Sequence, residues 1–220
     1  MFPLYDTARS HKFPLINLVL IGANVLAFLG EIGREPAGLQ AFIFANGLIP
    51  AEFLGNPTAE WTTIFSSMFL HGGWFHLLSN MWVLFIFGDN IEARMGGVRY
   101  LLFYLLGGTA AGLLQAFILP SSTVPMIGAS GAVAGVLGAY LILYPRSRIA
   151  SLVPIFFIFT LVELPAFVFL VFWFISQLYS GLFSLQGSAS GIAWWAHIGG
   201  FLFGIFIAFF FRSRTTYRYA

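Results

Sequence analysis

Ser130 lies in Gly128-Ala129-Ser130-Gly131 and His197 in Ala196-His197-Ile198-Gly199-Gly200, each at the head of an apolar run of membrane-spanning length. A hydroxyl and an imidazole are costly to keep inside hydrocarbon, and residues of this kind face a bundle interior or a water-filled cavity. Together they supply a nucleophile and the base that activates it, the minimum for covalent attack on a carbonyl. The chemistry they predict is acyl transfer carried out within a membrane.

The elements that must position them follow from composition. The chain is 59% hydrophobic and 8% charged with 27 Phe, whereas soluble domains carry roughly 25% charged residues. This predicts an all-α, polytopic membrane protein. Apolar runs of spanning length fall at Phe13–Glu31, Trp74–Ile91, Val98–Ile118, Gly128–Tyr144, Pro165–Gly181 and Trp194–Phe211, so six transmembrane helices are expected, with both termini on one face. The apolar stretch from Ile149 to Gly181 is too long for one helix and is punctuated by Pro154, Glu163 and Pro165. Its first half, Val153–Leu164, is expected to lie in the interface. No convincing small-residue cleavage site follows the first apolar run, which reads as a retained helix rather than a signal peptide. The expected organisation is a tail over residues 1–12, a six-helix domain over 13–211 and a second tail over 212–220. The absence of cysteine excludes disulfides and thiolate metal sites.

Charge placement sets the orientation. Nine of the ten basic residues are Arg9 and Lys12, Arg94 and Arg99, Arg146 and Arg148, and Arg212, Arg214 and Arg218; only Arg34 falls in the first loop. By the positive-inside bias both tails and the even-numbered loops are cytoplasmic. The first loop, about residues 32–73, is rich in Gly and Pro and is expected partly in the outer interface.

Counting back from the cytoplasmic ends gives depth. Ser130 is 14 residues before Tyr144, which at ~1.5 Å each puts it about 21 Å up in a core ~30 Å thick, or about 9 Å below the outer boundary. The fourth helix therefore starts inside the membrane, and the loop Leu119–Ile127 must dip in to meet it, tolerable only where protein or water surrounds its backbone. His197 is 14 residues before Phe211 and His76 is 13 before Asp89, so three polar side chains share one depth. Asn80 follows His76 by one turn on the same face. Small stripes at helical spacing, Ser130, Gly131, Ala134, Gly135 and Gly138 against His197, Gly200, Gly204 and Ala208, let the fourth and sixth helices approach closely.

A triad needs a buried carboxylate, but the only aspartates, Asp6 and Asp89, fall at the cytoplasmic edge, roughly 20 Å from the site. A Ser–His dyad remains. Lys12 is the sole lysine, which excludes a Ser–Lys pair, and neither paired intramembrane aspartates nor a His-Glu-x-x-His helix occurs. The dyad requires no cofactor and no metal. The helix start at Ser130 offers free backbone N–H groups, the tight turn is permitted by Gly128 and Gly131, and His76 and Asn80 can add side-chain donors for an oxyanion. His71 is expected nearer the surface, in water supply or loop packing. Alone, a serine at a helix start is most often a cap or packing residue; shared depth with His197 favours the dyad.

These motifs carry a resemblance. Gly128-Ala129-Ser130-Gly131, His76-Leu77-Leu78-Ser79-Asn80 and Ala196-His197-x-x-Gly200-x-x-x-Gly204 resemble the signature motifs of the rhomboid intramembrane serine proteases, and Glu92-Ala93-Arg94-Met95-Gly96 resembles that family's turn after its second helix. The similarity covers about residues 61–211. It implies Ser130 as nucleophile, His197 as general base, and His76, Asn80 and the Ser130 amide as oxyanion hole. It implies single-span membrane proteins in the bilayer as substrates, cut near their outer ends, with the fifth helix and fifth loop as gate and cap. No nucleic-acid partner is implied. The simple form resembles bacterial members, which implies a bacterial inner membrane. Two other readings are a non-catalytic binder or chaperone on the same fold, opposed by the presence of both Ser130 and His197, and a transporter, opposed by the lack of an inverted repeat.

Overall fold

The computed structural model describes residues 2–8, 10, 12–155, 158–185 and 191–212. In chain order it holds strand β1 (Phe2–Asp6), helix α1 (Leu15–Ile32) and the short helices α2 (Pro36–Asn46), α3 (Pro50–Gly55), α4 (Pro57–Glu60) and α5 (Thr63–Ser66). A 3-10 turn at Ser67–Phe69 leads into α6 (Trp74–Met95), α7 (Gly97–Ile118) and α8 (Ser130–Leu143). The hairpin β2 (Arg148–Ile155) and β3 (Ile158–Pro165) precedes α9 (Ala166–Ser184) and α10 (Trp194–Phe211).

A helix occupies each of the six apolar runs. Four of them, α1, α7, α9 and α10, are long and apolar enough to cross a membrane by length and composition. Helix α8 has 14 residues, about 21 Å at ~1.5 Å each, which is shorter than a ~30 Å core. Helix α6 has 22 residues but carries Asp89, Glu92 and Arg94 towards its end.

Helix α8 forms the centre, with every residue from Gly131 to Leu141 buried. Its approach to α10 uses the small stripes: a Cβ added at Gly200 would overlap the Gly131 carbonyl, one at Gly204 the Gly135 carbonyl, and one at Gly138 the Phe201 carbonyl. Backbone-to-backbone contact of this kind is what small residues permit in lipid. The loop before α8 is satisfied by protein, as its depth demands. Leu48 and Met126 exchange N–H···O bonds of 3.0 and 2.9 Å, and the Gly128 N–H donates to the Ser67 carbonyl at 2.8 Å.

Helix α1 begins after Pro14 with no side-chain cap of its own. Its first-turn N–H groups are met by Glu92 near the end of α6, which accepts from Ile16 at 3.1 Å and Asn17 at 2.8 Å. The Asn17 side chain donates to the Leu84 carbonyl at 3.0 Å and accepts from the Tyr100 hydroxyl at 2.7 Å. Gly96, at φ +84°, supplies the left-handed residue that turns α6 into α7. The first loop resolves into short helices, three of them begun by Pro36, Pro50 and Pro57, where a missing N–H costs nothing.

The helical class is as expected, but an antiparallel sheet in the order β1-β2-β3 is added to it. Residues 2–6, read as part of a tail, pair with β2 from Phe2↔Leu152 to Asp6↔Ile149. The segment 153–164, read only as interfacial, belongs to the hairpin that pairs Arg148 with Pro165 and Ile155 with Ile158. Strand β1 packs on α6, where the Trp82 indole N–H donates to the Pro3 carbonyl at 2.7 Å. Residues 213–220 of the expected C-terminal tail and 186–190 of the expected cap lie outside the described residues.

Candidate active site

Ser130 opens α8 with Ala129 at the cap position and no side chain bonded to the free N–H groups of the first turn. Its Oγ lies 2.9 Å from His197 Nε2, within the reach of a hydrogen bond between a nucleophile and its base. The close approach of α8 and α10 positions the pair: the glycines that let the backbones touch begin one residue after Ser130 and three after His197.

The tautomer of His197 is set from the other side of its ring. Nδ1 lies 2.8 Å from Gln177 Oε1, and Gln177 Nε2 faces the Trp173 carbonyl at 3.4 Å and Ser176 Oγ at 3.0 Å. A backbone carbonyl only accepts, so the amide is oriented with its oxygen on His197. Nδ1 therefore carries the proton and Nε2 is left to accept from Ser130. The ring also has Trp194 edge-on at 5.9 Å and Trp173 at 6.2 Å.

His76 reaches the same place from α6. The Gly72 N–H donates to His76 Nδ1 at 3.3 Å, so in the neutral ring the proton sits on Nε2. That edge faces Gly128, where an added Cβ would fall 2.7 Å from Cε1 and 2.8 Å from Nε2. Gly128 stands at φ +124°, so a side chain there is excluded both by its own backbone and by His76. Asn80, buried one turn on, donates to the His76 carbonyl at 3.0 Å. Ser130, His197, His76, Asn80, Trp173 and Gln177 line one cavity of about 440 Å³.

All four polar residues expected at one depth are thus together. His71, expected in water supply or loop packing, is buried at 2% exposure. Its ring meets that of His76 at 5.1 Å, and its backbone N–H donates to the Glu31 carboxylate at 3.1 and 3.2 Å. Glu31 on α1 thereby ties down the loop in front of α6. Sequence reasoning missed Glu31 and Gln177, although each is a polar group in an apolar helix, which is itself a signal. Asp6 is bound by Tyr140 and by Asn90 at 3.0 Å, and Tyr140 lies ten residues along α8 from Ser130, about 15 Å away. Neither aspartate serves the site.

A helical, multi-pass architecture with a serine and a histidine hydrogen-bonded across two helices defines a class of integral membrane protein. A family model described as the Rhomboid domain matches residues 58–214. The chain is 33% identical over 154 residues to RHOMBOID-like protein 4 of Arabidopsis thaliana, covering 70% of this chain and 35% of that protein. It is 34% identical over 88 residues to "Putative rhomboid protease YdcA" of Bacillus subtilis, covering 40% of this chain and 44% of that protein. Presenilin-associated rhomboid-like protein, mitochondrial, of Homo sapiens is 28% identical over 199 residues, or 84% of this chain and 45% of that protein. The chain belongs to the rhomboid family. It spans 35%, 26% and 31% of three of the Arabidopsis relatives, so the match is to a part of those proteins.

Proposed function

We propose that this chain is an intramembrane serine endopeptidase that hydrolyses peptide bonds at or near the outer end of single-span membrane proteins. The observation that carries this reading is the 2.9 Å contact between Ser130 Oγ and His197 Nε2. His197 takes the hydroxyl proton as Ser130 attacks the carbonyl, then gives it to the leaving amine; water releases the acyl group by the same route in reverse. The negative charge on the tetrahedral intermediate falls beside the start of α8, where backbone N–H groups and the His76 Nε2–H are the donors, with Asn80 from the next turn. The substrate helix must unwind to present a carbonyl, so Gly, Pro or small polar residues near its outer end favour cleavage. In this reading residues 13–211 are the protease domain, six helices cross, and both termini are cytoplasmic by the placement of basic residues.

The test is labelling of the purified protein with a fluorophosphonate probe beside Ser130→Ala and His197→Ala. Labelling of the unaltered chain alone is expected. An unlabelled unaltered chain overturns the dyad and leaves the non-catalytic binder, and labelling that survives either change overturns the dyad by placing the reactive group elsewhere.

A further inference from the structure

The dyad has no carboxylate behind its histidine, yet the far nitrogen of that histidine is not idle. Gln177 Oε1 holds His197 Nδ1 at 2.8 Å, and Gln177 is buried on a helix whose neighbouring residues Phe172, Ile175 and Tyr179 are exposed. A primary amide in hydrocarbon is costly unless its bonds are made. Here they all run to places that fix its direction: the nitrogen to the Trp173 carbonyl and Ser176, the oxygen to the imidazole.

The rest of α9 holds that direction. Trp173, Gln177 and Gly181 recur every four residues and so share one face. Trp173 meets the His197 and Phe201 rings, Phe174 stacks on Phe201 at 4.6 Å, and a Cβ at Gly181 would lie 3.3 Å from Ile198. The amide is therefore pressed against α10 at the level of the base.

We infer that Gln177 is a positioning residue which, from α9, locks His197 as the Nδ1–H tautomer so that Nε2 faces Ser130 as a bare acceptor. It performs the orienting part that a buried acid has in a triad, without adding a charge to the membrane interior. Serine, base and orienting amide then come from three different helices, α8, α10 and α9, beside His76 and Asn80 of α6. An imidazole that turns over to the other tautomer presents an N–H to the serine and cannot take its proton. The inference rests on the hydrolase reading.

Gln177→Leu removes the acceptor at similar volume, and Gln177→Glu keeps an acceptor oxygen in its place. Two readouts are taken: the rate constant for fluorophosphonate labelling, and the ¹⁵N spectrum of histidine-labelled protein, with the His197 signals assigned by their loss in His197→Ala. The unaltered chain is expected to show the Nδ1–H tautomer. Gln177→Leu is expected to lose it and to label about 10- to 10²-fold more slowly, a share of the ~10²–10⁴-fold that a general base provides. Gln177→Glu is expected to restore both. If the leucine variant does not fold, Gln177→Asn withdraws the oxygen by one methylene and must show the same loss. A tautomer unmoved by these changes, or a Gln177→Leu labelling rate within two-fold of the unaltered chain, overturns the inference alone. Absence of labelling in the unaltered chain overturns the hydrolase reading instead, and the tautomer still reports on Gln177.

Discussion

At the scale of single residues, the site depends on a position with no side chain. Gly128 combines φ +124° with a His76 ring lying where its Cβ would be. Gly128→Ala must accept a strained backbone, about 1–3 kcal/mol, and push His76 away from Ser130. The expected outcome is a chain that still folds, as judged by its thermal midpoint, but labels with a fluorophosphonate at least about 10-fold more slowly, within the 10²–10³-fold that an oxyanion donor commands. An unchanged rate would reduce Gly128 to an ordinary turn. Ser130 and His197 were legible because both carry polar groups at helix starts within motifs whose depths can be counted. Gln177 and Glu31 were not, since neither lies in a motif and its partner, His197 or the His71 amide, is 20 or 40 residues away.

At the scale of elements, helix positions were readable from apolar length, and the short α8 from the distance between Ser130 and Pro145. The sheet was not. Strand β1 has five residues, and its partners on β2, α6 and α8 all lie far along the chain. The hairpin did carry a signal in Ile149, Val153, Ile155, Ile158, Thr160 and Val162, β-branched residues that suit a pleated surface; apolar length masked it. The joint between α1 and α6 is the element-level feature most open to test. Glu92→Ala leaves the Ile16 and Asn17 N–H groups without acceptors, and a loss of about 1–3 kcal/mol per buried group follows. A lowered unfolding midpoint in detergent is expected, with Glu92→Gln, which keeps one acceptor oxygen, falling between.

At the scale of the whole molecule, the N-terminal strand closes the bundle. Asp6 bonds to Asn90 on α6 and Tyr140 on α8. Burial pushes its carboxyl from 3.8 up to about 7, and Asp89 adds to the rise while the Tyr140 hydroxyl opposes it. The folded state thus holds a proton that the unfolded chain releases, so this group's contribution to stability is fullest below about pH 4 and is lost as pH rises to about 7. Thermal midpoints at pH 5 and pH 8 should differ in favour of pH 5, and Asp6→Asn should reduce that difference by stabilising the chain at pH 8. A pH dependence unaltered in that variant would place its origin elsewhere. The pairing of β1 with β2 also constrains topology, because α1, α6, α7 and α8 lie between them and must together cross the membrane an even number of times. It sets a schedule as well. Phe2 and its partner Leu152 are 150 residues apart, and at ~5–20 residues per second the ribosome takes about 7 to 30 s to deliver one after the other. Strand β1 waits through helices α1 to α8 with its edge unpaired, and it pairs only after the helix that carries Ser130 has been made.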